Sequence, residues 1–117
     1  MRFLSIYKTA ERTAPPTPEE MAHMGKLVDE MMKAGKLLAT EGCLSSAKGA
    51  RVRLAGGKLT VSDGPFTETK EVVAGFALLR ANSKEEAIEL TKHFLKYAGA
   101  DGECEVRQLY EGPECGS

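Results

Sequence analysis

Neither sign of charge is in excess in this sequence: sixteen Lys and Arg stand against seventeen Asp and Glu, a formal charge of -1. The basic footprint that draws a protein onto nucleic acid or an anionic membrane is missing, so neither is expected as a partner. Long apolar runs are missing too. The longest, Val72 to Leu79, has the length of a buried strand rather than a membrane span, and the apolar stretch after Met1 is too short and interrupted for a signal-peptide core. Cysteine is scarce, with Cys43, Cys104 and Cys115 forming no Cys-x-x-Cys pair, and the two histidines, His23 and His93, lie at no zinc-ligand spacing. That excludes a recognisable metal site and fits a reduced, cytoplasmic compartment, with Cys43 and Cys104 read as small core-lining side chains. No Gly-x-Gly-x-x-Gly, P-loop or nucleophile elbow occurs, so no nucleotide cofactor is expected. Repeats and low-complexity tracts are absent as well.

What is there is an ordinary globular composition, 42% hydrophobic and 28% charged over 117 residues, enough for one domain with a real core. The domain is read as residues 1–112, with a short loose tail at 113–117 after Gly112-Pro113. Residues 2–8 are β-prone. Thr17, Pro18 and Glu20 then carry the signature of a capped helix start, followed by the stripe Met21, Met24, Leu27, Val28 and Met31 and a stop at Gly35. Leu37-Leu38-Ala39 reads as a short extended piece before an irregular loop at 41–49. A hairpin comes next, in which Val52, Leu54, Leu59 and Val61 alternate with Arg51, Arg53, Lys58 and Thr60 around Gly56-Gly57. Residues 71–81 do not alternate, which predicts a strand covered on both faces by helices or a second subunit. Ser83 and Glu86 form a second capping box, Ala87, Leu90, Thr91, Phe94 and Ala98 line the helix behind it, and residues 103–110 make a last strand with Cys104, Val106, Gln108 and Tyr110 on one side. The order describes one sheet, including the hairpin, with both helices on one face: an α+β ferredoxin-like sandwich. Its bare face predicts a homodimer packed sheet to sheet.

The most informative residues are Asp63-Gly64-Pro65-Phe66, where the chain leaves the hairpin. An Asx-turn would aim the Asp63 carboxylate at the N–H two residues on, but that residue is Pro65, which has none. Asp63 is therefore either a clasp on the N–H of Phe66 or Thr67, or a free carboxylate available as proton acceptor or anchor in a cleft. Phe66 is a core anchor or a pocket wall. Glu68 and Lys70, two apart, share a side of an extended segment and are either an exposed ion pair or part of the same polar cleft. Lys48, Arg51 and Arg53 are either a solvated strand face or a greeting for an anionic ligand. His23 and His93, mid-helix among charged neighbours, are read as surface residues.

Asp63-Gly64-Pro65-Phe66-Thr67-Glu68-Thr69-Lys70-Glu71, with Gly75-Phe76, resembles the signature of the DGPF-domain proteins within the YCII-related superfamily. The likeness extends through Lys48 to Val52, Ser83 to Ala87 and Glu105 to Gln108. The resemblance implies a ferredoxin-like fold that pairs into a dimeric α+β barrel. It implies an Asp and a His as the active-site residues proposed for the broader group, the Asp corresponding to Asp63. The His has no counterpart, since Glu41-Gly42 is followed by Cys43-Leu44-Ser45. Two functions follow as expectations: a protein that binds or transforms a small molecule in a cleft near the 63–66 loop, with Asp63 catalytic and Arg51, Phe66, Glu68 and Lys70 binding, or a regulatory module for an extracytoplasmic-function sigma factor.

Overall fold

The computed structural model describes residues 1–12 and 14–111. Strand β1 (Arg2–Thr9) is followed by helix α1 (Pro18–Lys33), strand β2 (Leu37–Gly42) and a 3-10 turn (Ser46–Lys48). The hairpin strands β3 (Ala50–Ala55) and β4 (Lys58–Asp63), strand β5 (Val72–Arg80), helix α2 (Lys84–Ala98) and strand β6 (Glu103–Gln108) complete the chain. Four strands pair antiparallel in the order β2-β5-β1-β6, which makes the expected α+β, ferredoxin-like arrangement. The hairpin is not part of that sheet. Among the described residues β3 and β4 pair only with each other, and the 3-10 turn, capped by the Ser45 side chain, redirects the chain between Gly42 and Ala50. The expected tail at 113–117, and Cys115 with it, lie outside the described residues.

Local chemistry sets the helix ends. Thr17 accepts from the Glu20 N–H at 3.1 Å and Glu20 returns the bond to the Thr17 N–H at 2.9 Å, a complete capping box. Gly35 takes φ +74, and the N–H groups of Gly35 and Lys36 close on the carbonyls of Met32 and Met31, a Schellman ending that a Cβ would oppose. At α2 the box is only half made: Ser83 caps the Glu86 N–H, but the Glu86 carboxylate accepts from Asn82 instead of Ser83.

Period-two alternation divides the sheet. Phe3, Ala77, Leu79 and Val106 face the helices, where Phe3, Leu37, Leu79, Ala81 and Ala87 form the core with Val28, Met31 and Leu90 packed against it. Met21, expected on the packed stripe, is 62% exposed, because α1 meets the core through Leu27, Val28 and Met31, farther along the helix. Leu4, Ile6, Phe76 and Leu78 take the opposite face, away from the core that the helices form with Phe3 and Leu79, and among the described residues no helix packs on it. Tyr110 lies beyond the end of β6 and is exposed rather than part of its inner side.

Candidate functional site

The 63–66 loop is held from outside itself. The Gly64 N–H donates to the Gly49 carbonyl at 2.9 Å, and a Cβ at Gly64 would sit 1.7 Å from the Ser46 carbonyl oxygen, so close approach of two backbones, not a special φ, demands glycine here. The Phe66 N–H donates to the Ser46 hydroxyl at 3.1 Å; that hydroxyl in turn donates to the Glu11 carboxylate, which also accepts from the Ser46 N–H at 3.2 Å. The Phe66 N–H that Asp63 would have clasped is thus taken by Ser46. Asp63 itself is exposed at the end of β4, without a hydrogen bond or ion pair to its carboxylate among the described residues.

Three of the candidate ligand-binding residues come together. The Arg51 guanidinium lies 3.9 Å from the centre of the Phe66 ring and donates to the Glu68 carboxylate. That hydrogen bond, more than any other contact, holds Glu68 below the usual carboxylate range. Glu68 therefore pairs with Arg51 and not with Lys70, which forms no ion pair among the described residues. Strand spacing could suggest the Glu68–Lys70 pairing; the Arg51 pairing arises because the loop folds back over the base of β3.

Two cavities meet at the loop after β2. A shallow one of about 450 Å³ is walled by Cys43, Leu44, Lys48, Phe66, Val72 and Val73. The larger, about 690 Å³, lies between the helices and the sheet. Its floor is made of small side chains at positions that face the helices, Ser5, Thr40, Gly75 and Ala77, and its walls are Met24, Leu27 and Met31 of α1 and Leu90, Thr91 and Phe94 of α2. Arg12, Glu41, Ser45 and Lys48 stand at its rim, and Cys43, Leu44, Ser45 and Lys48 border both cavities. The floor was missed in the sequence, although a signal exists: Ser5 interrupts the inward series Phe3, Tyr7, and Gly75 and Ala77 precede the inward Leu79.

The cysteines and histidines lie outside the cluster of Arg51, Phe66 and Glu68. Cys104 lines the larger cavity half-buried, and burial pushes its thiol up, against a smaller opposing hydrogen bond with Ser5. Cys43 is exposed, contrary to its expected place in the core: its N–H still donates to the Ala74 carbonyl at 2.8 Å, but it lies just past the end of β2 at Gly42, at the start of the loop that borders both cavities. His23 stacks on Tyr97 at 4.0 Å and its Nε2 lies 3.0 Å from the Tyr97 carbonyl oxygen, which ties α1 to α2. Among the described residues no three His, Cys, Asp or Glu side chains gather at metal-binding distance, and no helix is long and apolar enough to cross a membrane.

An uncharacterized protein of Rhizobium meliloti (strain 1021), R00369, is 32% identical over 89 residues, which cover 76% of this chain and 72% of that relative. The YCII-related domain matches residues 1–111, from the first strand to the Glu111 carboxylate that pairs with Arg2. With the strand order of the fold and the match running through both helices and the hairpin, the chain belongs to the YCII-related family.

Proposed function

We propose that this protein binds, and acts on, a small molecule with a compact apolar body and a polar end, seated in the sheet–helix cavity with its polar end toward the rim. The observation that carries the reading is the 690 Å³ space itself, of ligand size and apolar apart from a few hydroxyls and the charged rim. Small floor residues and adaptable methionine walls keep that space open where a packed core would close it. Phe66, held by Ser46, walls the shallow cavity, which shares Cys43, Leu44, Ser45 and Lys48 with the larger one, so the DGPF-type segment stands beside the approach to that rim. Lys48 and Arg12 at that rim would meet an anionic group, with Arg51 held nearby on Phe66 and Glu68, and Asp63, exposed and without a side-chain partner among the described residues, is a carboxylate available to anchor a donor or take a proton. We further propose that the working unit is a homodimer paired through the face bearing Leu4, Ile6, Phe76 and Leu78.

The test is a fluorescent probe of the same chemistry, anilinonaphthalene sulfonate, titrated into the native protein and into Ala77→Leu. Saturable binding by the native protein that is lost in Ala77→Leu, with an unchanged thermal melt, is expected. Undiminished binding in Ala77→Leu removes the cavity as the site.

A further inference from the structure

We propose that the apolar face of the β3–β4 hairpin is an arm that docks on a second copy of this chain, and that docking encloses Asp63 at the arm's base. This rests on the homodimer reading above and extends it to a second contact and to the site.

The hairpin has a well-formed apolar side with nothing on it. Val52 stands opposite Val61 and Leu54 opposite Leu59, while Arg51, Arg53 and Lys58 take the other side. The four apolar residues are 67–71% exposed, and every residue of both strands is exposed. An isolated two-stranded hairpin is marginal in water, so such a face is built for cover. The described residues do not provide it, since these side chains stay exposed with the rest of the chain in place and the hairpin adds to no other sheet among them.

Surface area says how much cover is missing. The chain exposes 8490 Å², against about 6200 Å² for a compact monomer of this mass. Its radius of gyration is 16.1 Å, against about 13 Å for a compact domain of this length. The excess, roughly 2000 Å², is of the size each subunit contributes to an obligate homodimer. A second copy is the occupant that answers both uncovered faces at once: each chain carries an apolar hairpin and an apolar sheet face, and a two-fold axis covers both pairs with the same contacts. The formal charge of -1 leaves little repulsion between copies.

Asp63 gives the arm a functional consequence. Strand alternation puts it on the same side as Leu59 and Val61, across from Ala50. A docked partner would take its carboxylate out of bulk water beside apolar side chains and wall the space in front of it. The site is then complete only in the assembly.

Sedimentation equilibrium on the full chain tests this, with thermal melts as a check of fold. The native protein should be a dimer, and Leu54→Ser/Leu59→Ser should raise the dissociation constant at least about 100-fold, as expected for loss of central apolar anchors. Val61→Thr, milder and exposed, should weaken it in the same direction, while Arg53→Ser on the other side should leave it nearly unchanged. Amide exchange at Asp63 should slow with rising protein concentration. A native dimer undisturbed by either apolar-face variant overturns the arm, leaving the hairpin for a different protein or for none. A native monomer at tens of micromolar overturns the homodimer reading itself, and with it the arm.

Discussion

Ser46 organises the loops more than any charged group near them. Its hydroxyl accepts from Phe66 and donates to Glu11, and its carbonyl presses on Gly64. Gly64→Ala should cost about 2 kcal/mol or more, since the clash is with backbone rather than a movable side chain; the melting temperature should fall by about 8 °C or more, read by differential scanning calorimetry. Ser46→Ala, which leaves the Phe66 N–H without its acceptor, should cost about 1 kcal/mol. Asp63→Asn should leave the melting temperature unchanged while removing whatever activity is found, because its carboxylate holds no partner among the described residues. The sequence could say that Pro65 denies Asp63 its usual turn partner. It could not say that Ser46, 20 residues away from Phe66, takes the donor Asp63 was left to find. Such a contact depends on how two loops meet, and no periodicity encodes that.

Helix α1 shows how far local rules reach. Thr17, Pro18, Glu20 and Gly35 announce both ends, and both ends form as their chemistry requires. The same helix carries a pH response. Glu20 is lowered to about 2 from its ordinary 4.5, first by the hydrogen bond from Arg12 and next by the Thr17 N–H. A carboxyl held low in the folded state stabilises it above the unfolded value, and that stabilisation is lost as pH falls through about 2. The difference in melting temperature between the native protein and Glu20→Gln should therefore be constant from pH 7 to about 5 and shrink steadily between pH 4.5 and 2. The hairpin was equally legible as an element, with its turn at Gly56-Gly57 and its alternation intact. Its place was not legible, since the alternation that makes a hairpin says nothing about which sheet, or which copy, it joins.

At the scale of the whole molecule, the order of elements was enough to derive a sheet with two helices on one face, because crossovers and hairpins leave few alternatives. The cavity was not, since a floor of Ser5, Gly75 and Ala77 becomes a space only when α1 stands over it at a distance that packing sets. If the uncovered sheet face is the main dimer contact, Ile6→Lys, which puts a charge on its central strand, should shift the native dimer to monomer in sedimentation at tens of micromolar while circular dichroism stays unchanged. The hydroxyl of Ser46 also joins three chain segments that are far apart in sequence: the stretch before α1, the turn after β2 and the loop after β4. Their motions should then be coupled. The amides of Ser46 and Phe66 should exchange with solvent in one shared opening, and Glu11→Gln should quicken both together, so the entrance to the cavity would open as a single gate rather than three independent flaps.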